Sequence, residues 1–370
     1  MSADDDRLAR VALSVVGEPG EDRLLSLVAD LGAETVHHRL RAEEALIPRF
    51  HGLDPERVLD DAGRVGLRFV VPGDAEWPEG LADLATTASL QRRGGVPVGL
   101  WVRGPVRLDQ LAGSVAVVGS RSATTYGADL AAGIAGDLAQ AARPVISGGA
   151  YGIDQAAHRG ALAGGGPTVA VLACGADRVY PEGHRRLIEH LAAEGAVVSE
   201  TPPGGAPMRI RFLARNRLIA ALTAGTVVVE AAVRSGALNT ANWAGRLNRH
   251  LMGVPGPVTS ASSQGVHHLV RTGAASLVTS GADVLEVVGA AGEHLGAEPR
   301  GPDRPRDRLS HGQLRVLDAV PVATGAAASS IARTAGLGHR TVEGALGELA
   351  ALDLVERDGL GWRLAAPARA

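Results

Sequence analysis

The chain has 370 residues, 45% hydrophobic and 3% aromatic, with 37 basic against 40 acidic side chains and a formal net charge of −3. That length buries one large core and leaves residues for small modules, while the near-neutral balance excludes a protein that coats a polyanion with its whole surface; any nucleic-acid contact must be a local basic patch. Every basic residue is arginine, which excludes P-loop, protein-kinase and pyridoxal chemistry for want of a lysine and supplies forked, permanently charged phosphate ligands, although a GC-rich genome accounts for the same bias.

The first segment, 1–66, has helix-period apolar residues in DRLLSLVADLGA and PERVLDDAGRVG, with a turn at Gly17–Gly20 between the first two helices. It is expected to form a small helical module. Between Leu67 and Gly113 the short extended runs RFVVPG and VGLWVRG are broken by Pro and Gly, and their strands are expected at the edge of the main sheet. From Val115 to about Val288 the apolar runs SVAVVG, PVISGG, TVAVLACG, AVVSE, TVVVE and HLMGVPG each lead into a small-residue turn, usually followed by an Ala-rich helical stretch. Continuous apolar strands alternating with helices predict an α/β fold with a Rossmann-like parallel sheet, its domain spanning 67–288 with the N-terminal extension.

Residues 289–308 lose periodicity and fill with Pro, Gly and charge, as a linker does. Residues 309–370 give three helices, GQLRVLDAV, AASSIARTAG and TVEGALGELAAL, then two short strands around Asp358-Gly359, the order of a winged helix. Its third helix offers Arg340 against Glu343 and Glu348, which suits a protein contact or a weak accessory role better than the major groove. The lone Cys174 has no disulfide partner, no cationic segment followed by an apolar one opens the chain, and no apolar window is long enough to span a membrane, so a cytoplasmic home is expected.

Three turns carry the candidate chemistry. Gly119, Ser120 and Arg121 follow the first buried strand; Ser147, Gly148, Gly149 and Gly152 follow the second; Ser235, Gly236 and Thr240 lie beyond TVVVE. Helix N-termini leave N–H groups unpaired, so such turns gathered at one sheet edge form a phosphate-binding rim, or simply capped strand-to-helix turns. Asp154 is expected to cap its helix or tie the loop, since a carboxylate repels phosphate, and Glu230 to orient its turn or accept bonds from neighbouring N–H groups. Arg209, Arg211, Arg215 and Arg217 put four cations into nine residues around Asn216, a basic strip whether the segment is helical or extended. Cys174 is expected as a small buried residue, and the adjacent histidines 37/38 and 267/268 do not share a face, so no metal site is expected. Few aromatic residues are available for base stacking.

The runs GSR (119–121), SGGAYGID with AAHRGAL (147–162), AVLACGADRVYPEGHRRL (170–187), SETPPG (199–204), RFLARNRLIAAL (211–222), VVVEAAVRSGALNTA (227–241) and VPGPV (254–258) resemble the DprA family, also called Smf. The resemblance implies binding rather than catalysis: single-stranded DNA is bound and protected, and the RecA recombinase is loaded on it during transformation. It implies no cofactor, and a homodimer is expected. It also implies a SAM-like, helix-hairpin-helix-related N-terminal module. With the turns and the arginine strip, it leads to expected DNA or phosphate contacts at Gly119, Ser120, Arg121, Ser147, Gly148, Gly149, Gly152, Arg211, Arg215, Asn216, Arg217, Ser235, Gly236, Thr240, Gln264 and Gly265. Two stretches depart from the family pattern: NFPRRNR stands here as RIRFLARNR, and the Gly-Thr-Asn or Gly-Cys-Asn after the PG turn stands as QGVHH. Two other readings share the architecture, a nucleotide N-glycosidase and a small-nucleotide sensor. The missing Pro-Gly-Gly turn weakens the first, and a strip of several cations favours a polyanion over the second.

Overall fold

The computed structural model describes residues 3–43, 46–296 and 304–366. Contacts divide the chain into two compact units, Met1–Gly296 and Ala297–Ala370. The first opens with helices α1 (Ala3–Val16), α2 (Asp22–Leu31), α3 (Ala33–Ala42) and α4 (Pro55–Arg64). Asp54 caps α4, accepting from the N–H groups of Glu56 and Arg57, and Pro55 takes the first helical position where its missing N–H is harmless.

Strands β1 (Leu67–Val70) and β2 (Leu100–Arg103) pair antiparallel, and β2 pairs antiparallel with β6 (Ala196–Ser199). The connector strands therefore form the sheet edge, as their sequence suggested. The remaining strands are parallel: β3 (Val115–Val118), β4 (Val145–Ser147), β5 (Thr168–Val171), β7 (Gly225–Val228), β8 (His250–Gly253) and a two-residue β9 (Ser276–Leu277) that the sequence pattern did not announce. The nine strands run in the order β1-β2-β6-β5-β4-β3-β7-β8-β9.

Alternation along the buried strands makes two cores. Val115 and Val117 pack with Ile134 and Leu138 of α5 (Thr125–Gln140) and Ile153 and Ala157 of α6 (Ile153–Ala163). Ala116 and Val118 pack on the opposite face with Leu218 and Ile219 of α8 (Arg209–Ala221) and Ala241 and Trp243 of α9 (Ala237–Arg246). Helix α7 (Arg185–Glu194) joins Phe69 and Trp101 in a third cluster. Helices α10 (Gln264–Arg271) and α11 (Gly281–Val288) complete the unit.

The second unit holds α12 (His311–Ala319), α13 (Ala328–Ala335), α14 (His339–Ala351) and the antiparallel pair β10 (Val355–Asp358) and β11 (Gly361–Leu364), the order expected from the sequence. Of the expected linker, residues 297–303 lie outside the described residues. No helix among the described residues is long and apolar enough to cross a membrane.

Candidate nucleic-acid interface

Chain direction creates the site. From β3 the sheet grows through β4, β5 and β6 on one side and through β7, β8 and β9 on the other, so the loops after β3 and β7 diverge and leave a crevice at the carboxyl edge. A cleft of about 710 Å³ lies there, walled by Gly119–Ser122 after β3, Ala232 and Arg234–Ala237 after β7, Ala150 and Asp154 beyond β4, and one face of α8. From α8 the lining takes Arg209, Phe212, Leu213, Asn216 and Ile219, the spacing of a single helical stripe, with Arg215 at its edge. The cleft thus takes in Gly119, Ser120, Arg121, Arg215, Asn216, Ser235, Gly236 and Thr240 of the expected contacts.

Four arginines, Arg121, Arg209, Arg215 and Arg234, line it, and among the described residues none forms an ion pair. Arg121 stacks its guanidinium 4.7 Å from the Phe212 ring centre, and the Tyr180 and Phe212 rings are 5.7 Å apart. Sequence reasoning missed Arg234, Tyr180 and Phe212 as site residues and took the chain to lack stacking platforms. The pair is 32 residues apart in sequence, and only the fold brings it together beside the cations.

Arg215 forms the floor. It is 7% exposed, its Nη1 donates to the Val171 carbonyl at 3.1 Å, and its buried Nε–H has no partner. Burial lowers its pKa, with Arg121 pushing the same way and Asp154 opposing, yet an arginine stays charged at neutral pH. Gly148 makes the room: a Cβ there would overlap this guanidinium. Asp154 is the one carboxylate in the lining. Burial raises its pKa against the pull of Arg215, the Ala150 N–H and Arg121.

Several expected contacts are corrected. Arg217 is wholly enclosed, both Nη atoms lying 2.7 Å from Glu200 oxygens, with further bonds to the carbonyls of Gly94, Gly95 and Ala214. Arg211 is bound to Glu18 at 2.9 and 3.0 Å and to the Ala206 carbonyl at 2.8 Å. Helix α8 is covered on most sides, so cations that miss the cleft stripe must find internal partners. Burial alone would raise the pKa of Glu18, but hydrogen bonds from Arg211 and Arg49 outweigh it and hold the carboxyl below its ordinary value. The Ser147 hydroxyl is spent on the Val117 carbonyl at 2.7 Å. Gly149 packs against Leu172 and Ile188, and Gly152, at φ 76°, brings its backbone against the Ser120 carbonyl, which accepts from the Ile153 N–H at 3.1 Å. These glycines lock two turns together and lie outside the lining.

Gln264 and Gly265 open α10 instead of reaching the cleft; the Gly265 N–H donates to the Ala231 carbonyl at 2.7 Å and steadies the β7 loop from behind. Glu230 is buried and accepts from the Thr124 N–H at 3.0 Å, the Thr124 hydroxyl at 2.6 Å and the Ser262 hydroxyl at 3.3 Å. It anchors the start of α5, the bond-accepting role expected for it. No cluster of metal-ligating side chains occurs among the described residues.

The profile of the family described as DNA recombination-mediator protein A matches residues 68–289. A putative DNA processing protein DprA of Mycobacterium tuberculosis is 44% identical over 363 residues, covering 95% of this chain and 92% of that one. The X-ray structure of DNA processing protein A from Streptococcus pneumoniae superposes with a TM-score of 0.62 at 29% identity, covering 77% of this chain and 98% of that one. A Helicobacter pylori DNA processing protein A, whose structure is described by its single-stranded DNA binding mode, gives a TM-score of 0.52 at 25% identity over 60% of this chain and 96% of that one.

Proposed function

Since the chain belongs to the DNA recombination-mediator protein A family, the DprA or Smf proteins, we propose that it binds single-stranded DNA in the cleft between the β3 and β7 loops, shields the strand and delivers it to a RecA-type recombinase in DNA uptake and recombination. The observation that carries the reading is the set of arginines around Tyr180 and Phe212 that form no ion pair among the described residues. Cations take the phosphates and aromatic faces take the bases, the usual division of labour in single-strand sites. The protein acts by binding, as a cytoplasmic homodimer without a cofactor. Its SAM-like module covers 1–66, the Rossmann-like domain 67–288, the linker 289–308 and a winged helix 309–370 that meets protein partners.

Glu230, the carboxylate on which a glycosidase reading rests, is committed to Thr124 and Ser262 and lies outside the cleft lining. Mobility-shift titrations of matched single- and double-stranded oligonucleotides at two salt concentrations test the binding proposal. Tighter binding of the single strand, weakening steeply with salt, is expected. Equal affinity for both forms, or indifference to salt, contradicts it.

A second expectation concerns the cleft floor. Gly148→Ala should displace the Arg215 guanidinium and weaken oligo-dT binding about as much as Arg215→Ala does, on the order of ten-fold or more. Fluorescence anisotropy of labelled oligo-dT checks this; normal affinity in the Gly148 variant would remove Arg215 from the contact set.

A further inference from the structure

Resting on the reading that a strand's phosphates occupy this cleft, a deeper property of the site follows from its floor. Asp154 is 6% exposed, yet among the described residues the one hydrogen bond its carboxylate accepts is a long one, from the Ala150 N–H at 3.3 Å. Two cations line the same cleft, Arg215 from α8 and Arg121 from the loop after β3, and both act on the carboxylate through charge without forming an ion pair with it. Three other titratable side chains lie in this layer, and none of them is an acid that could share its proton with Asp154. His158, one turn along α6, bonds the Thr168 hydroxyl and is held at a pKa of about 3, by burial first and then by His184 and Arg215. His184 bonds the Gly149 carbonyl, and burial pushes the Cys174 thiol up to about 11.

An acid in this position opposes the ligand the cleft is built for. A phosphate at Arg215 claims the cation that supports the carboxylate and adds a second negative charge beside it. Both effects favour the neutral acid. Arg215 has the spare capacity to receive that phosphate, because its Nε–H is unpartnered. We propose that Asp154 takes up one proton as a phosphate arrives at Arg215, so that strand binding at this site is coupled to protonation.

The sign follows from linkage. The bound protein holds its proton more tightly than the free protein, so affinity rises as pH falls between the two pKa values, by up to about ten-fold per pH unit, and is flat outside that window. Asp154→Asn keeps a carbonyl oxygen for the Ala150 N–H and imitates the neutral acid at every pH. It should bind oligo-dT with the wild-type protein's low-pH affinity and without pH dependence in this window, and hence more tightly than wild type on the alkaline side.

The experiment is isothermal titration calorimetry of the full chain with 5′-hydroxyl oligo-dT, which has no titrating terminal phosphate, in two buffers of unequal ionisation enthalpy at several pH values. Uptake approaching one proton by the wild type, absent in Asp154→Asn, is the expected result. Binding without proton uptake, or an Asn variant that folds and binds more weakly, overturns the coupling while leaving the cleft as the strand's site. Failure of the wild type to bind at any pH overturns the single-strand reading and the coupling with it. The wild-type proton count decides the matter even where the Asn variant does not fold.

Discussion

Arg217→Ala should lower the unfolding free energy by about 3–5 kcal/mol and leave the DNA affinity of the surviving folded protein almost unchanged. The guanidinium has no exposed surface, pairs through both Nη atoms with Glu200, and is bonded to the carbonyls of Gly94, Gly95 and Ala214. Glu200 also accepts from the Gly20 N–H at 3.1 Å, so the same ion pair fastens the Gly17–Gly20 turn of the helical module to α8. Removing the cation strands a buried carboxylate and several carbonyls, and nothing of the cleft lining is touched. Urea unfolding gives the stability change, and anisotropy at a denaturant-free temperature well below the transition gives the affinity. Unchanged stability with a ten-fold weaker complex would mean that this arginine reaches the strand after all.

The second large effect has the opposite profile. Arg121→Ala and Arg234→Ala should each weaken oligo-dT binding ten-fold or more, since a well-made charge-assisted contact contributes on the order of 1.5–3 kcal/mol, while stability moves by about 0.5 kcal/mol or less, as for other surface substitutions. Both residues line the cleft, both are exposed, and no carboxylate among the described residues pairs with either. Each should also make the slope of log affinity against log salt shallower by about 0.7, the value for one phosphate of a single strand. Arg121→Ala also strips the cation from the Phe212 ring. A normal salt slope in both variants would place the phosphates elsewhere.

The sheet was legible because its strands are buried on both faces. Uninterrupted apolar runs such as VAVV and TVAV have no other stable use in a chain of this length, and the Gly and Ser residues that end them mark where the loops turn. The two-residue β9 was not legible, since Ser276–Leu277 has too little pattern to register. The cleft was half legible. Turns after β3 and β7 were found because strand-to-helix glycine turns are local, and both lie in the lining.

The arginine strip misled. Counting cations along RIRFLARNR treats them as equivalent, whereas a helix sends successive residues to different faces and this helix is enclosed. Arg211 and Arg217 turn to Glu18 and Glu200, partners that lie far away in sequence or across a loop. Arg215 is retained in the site only because Gly148 leaves room above it. Tyr180 and Phe212 meet through tertiary structure, so three aromatic residues in a hundred looked too few when their placement was what mattered.

Ultraviolet cross-linking of oligo-dT to the full chain, followed by peptide mass spectrometry, tests the central claim most directly, because it reports where the bases lie without altering the protein. Adducts on Tyr180 and Phe212, the aromatic pair beside the cleft arginines, are predicted. Adducts confined to residues 309–365, with none on the walls of the cleft, would contradict it and assign the strand to the other unit.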